Sequence, residues 1–313
     1  MDKKDELLLS ELSRNSRLPL KALARRIRLK EPSTLHRLRR LERSGLLIGT
    51  HPVIDNARLG YVGHRIYCRF RGTTKEQEQR ILEWLAEHPA VSVLAECTGS
   101  VNITVMSWVK EREEFVSFLA DFKAQWREHI TAVDVCEYLG TRFYARNYLS
   151  HESQDGFLYR AGEPIAVGYD ELDRKILLAL ATDARKPALR IARELDTPVR
   201  TVLERLRRLE KRQIILGYGI NIDIAKLGRE YYKLCCTFTK NVDRNTVLTW
   251  ADTLSSLVYI DETLGKYDLE LNVEVEGREE LEDILDRLKE LTGGIATMDE
   301  FRIKRFRKLV FLA

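Results

Sequence analysis

Arginine can hold two acceptor atoms of a phosphate or of a guanine edge at once, so a helix that repeats arginine on one face suits an anionic polymer. The hexapeptide RLRRLE does this twice, at Arg37–Glu42 and at Arg205–Glu210, 168 positions apart. Net charge gathers in the same two places. Residues 1–60 hold 14 Lys and Arg against 7 Asp and Glu, and residues 169–228 hold 13 against 9. The whole chain carries only +4, so the remaining segments are net acidic. Other reactive groups show no pattern. Cys68, Cys97, Cys136, Cys235 and Cys236 form no C-x-x-C pair, and the histidines at 36, 51, 64, 88, 129 and 151 have no metal-ligand spacing. The cysteines are expected as small buried hydrophobes. No catalytic set, metal site or cofactor is expected.

The hexapeptide belongs to a longer duplication. Sliding the chain by 168 places Asp2 and Asp5 on Asp170 and Asp173, Arg17 and Pro19 on Arg185 and Pro187, and Cys68 on Cys236. That period is a whole protein copied and fused, too long for a solenoid repeat. Within each copy, apolar spacing predicts three short helices. Leu8, Leu9 and Leu12 mark the first, Leu20, Leu23, Ala24 and Ile27 the second, and Leu35, Leu38 and Leu41 the third. Ile176, Leu177 and Leu180, then Ala188, Ile191, Ala192 and Leu195, then Leu203, Leu206 and Leu209 repeat them. Thr197 is expected to cap the last of these, with Pro198 at its first position. Gly45 is expected to end its counterpart in a left-handed turn. LLIGTHPVI and IILGYGINI alternate as a short hairpin would, which completes a winged helix-turn-helix.

Each basic module is followed by strands and helices in the order β-α-β-β-α-β, the ferredoxin-like unit. In copy one, HRIYCRF, VSVLAECTG, VNITVMSWV and VDVCEYLGTRFYAR read as strands around TKEQEQRILEWLAEH and KEREEFVSFLADFKAQW. The chain is therefore expected to be α+β. Winged helix-turn-helix domains at 1–60 and 169–228 each precede a ferredoxin-like sandwich, at 61–150 and 229–313, with a linker at 151–168. No apolar run approaches bilayer length and no signal peptide is evident, so a cytoplasmic location and no membrane partner are expected.

In this order, and twice over, these segments resemble the Lrp/AsnC family of transcription regulators. YDELDRKILLALATDAR, IARELDTPVRTVLERLRRLEKRQIILGY, AKLG and TLGKYDLELNVEV carry the resemblance in copy two. DKKDELLLSELSRNSR, LARRIRLKEPSTLHRLRRLERSGLLIGT, ARLG and ECTGSVNITVMSW carry it more loosely in copy one. The resemblance implies a DNA-binding module followed by a ligand-sensing, dimerising sandwich of the RAM type, tuned by an amino acid or related small metabolite. Members carry one such pair and assemble as dimers or larger oligomers. Two pairs in one chain imply a homo-oligomer or an intrachain pseudo-dimer.

With the third-helix leucines inward, helical geometry turns Ser33, His36 and Arg40 outward, with Arg37 at the edge. Copy two likewise presents Thr201, Glu204 and Arg208, with Arg205 beside them and Arg200 near the helix start. These are the candidate contacts to double-stranded DNA. Glu204 has two readings, an acceptor for cytosine or an ion pair with Arg200 or Arg208. Arg37 and Arg205 also have two, a DNA contact or a bond to an acid within the module. His36 and Glu204 occupy one slot, which predicts unequal half-sites. Thr50 and His51 are candidates for wing contacts to the DNA backbone. By resemblance, the turns CTGSVN and TLGKYD lie near an effector pocket at a dimer–dimer contact, making Gly99, Asn102, Gly265 and Asp268 effector candidates. The alternative is that both glycines only permit a hairpin with positive φ. Three rivals stand beside the regulator. One is a sensor with a single DNA-competent module. Another is a chromatin-like binder, disfavoured by the low total charge. The third is an enzyme similar to sirohaem decarboxylases. For that last, His64, His88 and His129 show no catalytic spacing, and no histidine occurs from residue 169 onward.

Overall fold

The computed structural model describes residues 1–150, 156–162, 165–181, 183–239, 242–293, 295–310 and 312. Copy one runs α1 (Lys3–Arg14), α2 (Leu20–Arg26), α3 (Glu31–Arg43), β1 (Leu47–Ile54), β2 (Val62–Phe70), α4 (Lys75–Glu87), β3 (Val91–Gly99), β4 (Ile103–Val109), α5 (Arg112–Trp126) and β5 (Ile130–Phe143). A short β6 (Tyr159–Ala161) follows. Copy two runs α6 (Glu171–Ala181), α7 (Ala188–Glu194), α8 (Val199–Lys211), β7 (Ile215–Ile222), β8 (Glu230–Phe238), α9 (Arg244–Ala251), β9 (Leu257–Leu264), β10 (Leu269–Val275), α10 (Arg278–Thr292) and β11 (Ile295–Leu309).

The helices form where the apolar stripes fall. Leu8, Leu9, Leu12, Leu23 and Ile27 are fully buried, as are Ile176, Leu177, Leu180 and Ile191. The Asp2 carboxylate accepts from the Lys4 and Asp5 amides, and Asp5 accepts in turn from the Asp2 amide, satisfying donors that a helix start leaves open. Gly45 follows α3 at φ +67, and Gln213 takes the same left-handed role after α8 at φ +57. Thr197 does not cap α8. Pro198 is the N-cap, and the Thr197 hydroxyl donates instead to the Leu195 carbonyl at 3.0 Å.

The expected hairpins are absent. β1 and β7 pair antiparallel with each other, Thr50 opposite Ile220 and Val53 opposite Gly217, so each copy supplies one strand of a shared ribbon. Ile220 and Ile222 of β7 pack into the α1–α3 core, and Ile54 of β1 into the α6–α8 core. Arg17 donates to the carbonyls of Ala184 and Lys186, and Arg185 donates to those of Ser16 and Leu18. This reciprocal exchange accounts for an arginine at the same place in both copies.

The two ferredoxin-like units also merge. Each forms a four-stranded sheet, β5-β2-β4-β3 or β11-β8-β10-β9, covered outside by its own two helices. The last strand of each copy then pairs with the second strand of the other, β11 with β3 and β5 with β9. Eight strands thereby close into one antiparallel ring, which leaves neither unit with a free edge there. Part of the expected linker is ordered, since β6 pairs with β5, Thr141 opposite Ala161; residues 151–155 and 163–164 of that linker lie outside the described residues. All five cysteines are free and buried. Among the described residues, no helix is long and apolar enough to cross a membrane.

Candidate nucleic-acid interface

The third helix of each module is turned differently from the leucine pattern. Thr34, Leu38 and Leu41 are the buried residues of α3, and Val202, Leu206 and Leu209 those of α8. Leu35 is only half-buried and Leu203 is 39% exposed, so neither points inward. Thr34 is polar, which hid the stripe at i, i+4, i+7. With the helix so turned, the outer face carries His36, Arg39 and Arg43 on α3, and Arg200, Glu204, Arg207 and Lys211 on α8, all exposed. Arg39 and Arg43 were missed on sequence grounds for this reason, while in α8 the apolar Val202 was a legible signal for the same turn, and Arg207 and Lys211 were missed because Leu203 was taken as inward. Ser33 and Arg40 are exposed at the rim, while Thr201 and Arg208 are partly covered.

Four of the five candidate arginines are tied to acids at the start of their module's first helix. Arg37 donates to Asp2 at 2.7 Å and to Asp5 at 2.8 Å, and Arg40 donates to Asp5 at 2.5 Å. Arg205 pairs with Asp170 and Asp173, and Arg208 with the same two acids. Asp5 and Asp173 are each 1% exposed, so these bonds tie the third helix to the buried start of the first. The Arg37 hydrogen bond, with the Asp5 amide, holds Asp2 down to about 2. The Asp173 amide and Arg205 do the same for Asp170. Arg37 and Arg205 are the more covered of the four and act inside the module, the second of their two readings. Arg40 and Arg208 keep part of their surface. Glu204 is engaged by Arg200 at 2.9 Å, its ion-pair reading. That pair is exposed, so releasing it costs little.

The wing candidates are not at the surface. Thr50 and His51 lie within the ribbon, 8% and 3% exposed, and Thr50 donates to Asp183 at 3.2 Å. Burial, aided by Arg146, pushes the His51 imidazole down to about 3 despite a hydrogen bond with Asn221. Its folded pKa lies below the usual 6.5, so its contribution to stability is complete above pH 6.5 and is lost as pH falls toward 3. The limiting slope is about 1.4 kcal/mol per pH unit for one proton. His51→Gln is expected to flatten that acid limb in urea unfolding followed from pH 7 to 4.

The sandwich turns are pressed against the other copy. Gly99 has φ +118, and a Cβ there would meet the Glu300 carbonyl oxygen at 2.6 Å. Gly265 has φ +150, and a Cβ there would meet the Cys136 Sγ at 3.0 Å. Both glycines thus serve ring closure as well as the turn. Asn102 Oδ1 accepts from the Phe70 amide at 2.8 Å, and Asp268 Oδ2 accepts from the Phe238 amide at 2.9 Å. These equivalent bonds hold the end of β2 and of β8.

Inside the ring lies a charged cluster. Lys233 is 2% exposed and its Nζ contacts Asp261 and Glu270, the latter at 2.8 Å. Arg65 reaches Asp261 at 3.1 Å, and the hydroxyl of Thr141 donates to it at 2.6 Å. Tyr67 donates to Glu270 at 2.7 Å. Burial would raise the Asp261 carboxyl, but Lys233 and Arg65 outweigh it and hold the group well below its ordinary value. Arg65 and Lys233 are equivalents at the 168 offset. Strand register makes Ala95 the equivalent of Asp261 and Thr104 that of Glu270, so both acids belong to copy two. Beside the cluster, a cavity of about 1030 Å³ opens between the β1–β7 ribbon and the ring.

Comparison with known proteins places this geometry. A winged helix-turn-helix DNA-binding family matches residues 1–48, and the AsnC-type helix-turn-helix domain matches residues 170–210. An uncharacterized HTH-type transcriptional regulator of Pyrococcus furiosus is 33% identical over 128 residues, covering 40% of this chain and 84% of that protein. Regulatory protein AsnC of Haemophilus influenzae is 30% identical over 120 residues, covering 37% of this chain and 78% of that protein. Across the whole length, the crystal structure of the siroheme decarboxylase NirDL shares the fold, with a TM-score of 0.63 at 15% identity, covering 99% of this chain and 94% of that one.

Proposed function

The chain belongs to the Lrp/AsnC family of helix-turn-helix transcription regulators, and from that premise we propose that it grips one DNA duplex with both recognition helices and answers to an amino acid or related small metabolite. One observation carries the first part. Two exposed cationic faces, on α3 and α8, are locked together within a single chain by the shared ribbon and the Arg17–Arg185 exchange. A covalent pseudo-dimer of this kind does alone what a pair of half-length regulators does together. His36, Arg39 and Arg43 form one reading face, with Ser33 and Arg40 at its rim. Arg200, Glu204, Arg207 and Lys211 form the other, with Thr201 and Arg208 at its rim. Arg37 and Arg205 position these helices through Asp2, Asp5, Asp170 and Asp173.

The two faces differ at three slots, His36 against Glu204, Arg43 against Lys211 and Pro32 against Arg200. Selection from randomised duplexes is therefore expected to return an imperfect palindrome with unequal half-sites. Identical base preference in both halves would refute this. The binding itself is tested by fluorescence anisotropy on the selected site across a salt series. Log affinity should fall linearly with log salt, as phosphate neutralisation requires. A flat dependence would refute the cationic grip.

The reading is non-enzymatic. His64 stacks on Phe115 of α5 at 3.7 Å, and His88 packs on Phe118 at 4.6 Å, so both turn toward the outer helices and away from the interior. For the effector, the turns at Gly99 and Asn102 and at Gly265 and Asp268 are candidate contacts between chains. Asp268 is exposed and offers its second oxygen to a ligand amine.

A further inference from the structure

The cavity between ribbon and ring has a composition that neither the DNA grip nor the turns explain. Its wall holds six Arg and Lys against four Asp and Glu. The acids are engaged: Glu230 by Arg302, Asp261 by Lys233, Glu274 by Arg146 and Tyr148, and Asp223 by Lys226 at 3.8 Å. The cations are not all engaged. Arg65 is nearly buried, yet among the described residues its guanidinium makes one bond, from Nη2 to Asp261. Lys304 has no acidic partner among them, and Arg305 shares the single carboxylate of Glu96 with Arg307. A guanidinium with unengaged N–H groups inside a protein calls for an acceptor, and a carboxylate fits its planar fork.

Aromatic side chains supply much of the remaining wall. Trp108, Tyr138, Phe143, Tyr231, Tyr259 and Phe306 line it. A space of about 1030 Å³ is at the upper end for sites that enclose one small organic molecule. We propose that this cavity is an internal effector site for an aromatic carboxylate, with the ring among these side chains and the carboxylate on Arg65. The inference rests on the regulator reading and names its ligand. It also supplies a route to DNA. Ile48, Val53 and Ile54 of β1 and Ile222 of β7 form one wall, and strands of the ring form the others. A ligand here touches the layer that spaces the two recognition helices, so it acts on both at once. By linkage, the factor by which it changes DNA affinity equals the factor by which DNA changes its own.

The test is calorimetric titration of the full chain with indole-3-acetate and with its neutral isostere indole-3-acetamide. One molecule of the acid is expected per chain, with the amide at least tenfold weaker. Arg65→Gln should erase that difference, and Val93→Trp, which fills the cavity wall, should remove binding of both. Circular dichroism checks that each variant is folded, and the acid–amide comparison on the unaltered protein needs no variant. Saturating indole-3-acetate should shift the affinity for the selected duplex at least threefold. No binding of the acid, equal binding of acid and amide, or unchanged binding in folded Val93→Trp would overturn the site. Binding without any shift in DNA affinity would overturn its role as an effector. Failure to bind any duplex would overturn the regulator reading instead, while the acid–amide comparison would still report on the site.

Discussion

Lys233→Met is expected to cost about 3–5 kcal/mol of unfolding free energy, the range for removing one partner of a buried ion pair. Lys233 is 2% exposed, and Asp261 and Glu270 beside it are 4% and 0% exposed. Its loss leaves two carboxylates inside the ring with one guanidinium, that of Arg65, reaching Asp261 alone. Tyr67 and Thr263 still donate to Glu270, but a hydroxyl does not neutralise a charge. The penalty comes from stranded charge and not from lost packing, which urea denaturation can separate in two ways. The triple variant Lys233→Met, Asp261→Asn, Glu270→Gln should recover most of the loss. The pH profiles should also converge in acid. Asp261 in the intact protein lies below its ordinary value of 3.8, so the stability it supplies is present above that pH and is lost as pH falls below it. The gap between variant and parent should therefore narrow below about pH 4. A constant gap from pH 7 to 3 would assign the effect to packing.

The second large effect concerns DNA. Arg39→Ala and Arg207→Ala should each weaken binding to the selected duplex by about 1–3 kcal/mol, with a smaller salt slope where the lost contact is to phosphate. They stand in different modules and should add in the double variant. A loss confined to one of them would identify a single-headed binder. Arg40→Ala and Arg208→Ala are expected to behave differently. Each takes a partner from a buried aspartate, Asp5 or Asp173, and should cost about 1–3 kcal/mol of folding stability. Their effect on DNA would then follow mainly from a loosened helix. Anisotropy and urea unfolding on all four variants distinguish the two classes. If Arg39 and Arg207 variants bind as tightly as the parent, the reading face has been placed wrongly.

Much of the fold was legible because the signals are periodic and occur twice. The leucine stripes of α1, α2, α6 and α7 mark buried positions, and the β-α-β-β-α-β order holds in both copies. Partner choice was not legible. Alternation in LLIGTHPVI says that one face of a strand is covered, but a hairpin and a cross-copy ribbon give the same alternation. In α3 the helix was misjudged by a fraction of a turn because Thr34 reads as polar, although its methyl and its hydrogen bond to the Lys30 carbonyl suit a buried site; in α8 the apolar Val202 carried the signal, but Leu203 beside it offered an equally apolar and competing stripe. A bond to an acid within the module was one of two readings for Arg37 and Arg205 but not for Arg40 and Arg208, although Asp2 and Asp5 recur as Asp170 and Asp173 at the same separation from both pairs. The interior charges had no signal. A lysine or glutamate on a strand reads as facing water, and only closure of the ring turns that face inward.

The placement of Asp261 and Glu270, with Ala95 and Thr104 at the matching positions, has an evolutionary reading. In an assembly of identical subunits every substitution appears on both sides of the axis, so an acid introduced at the centre arrives twice. Fusing two copies into one gene lifts that constraint. One half can then supply all the negative charge of a shared interior while the other supplies none, an arrangement that identical subunits cannot reach.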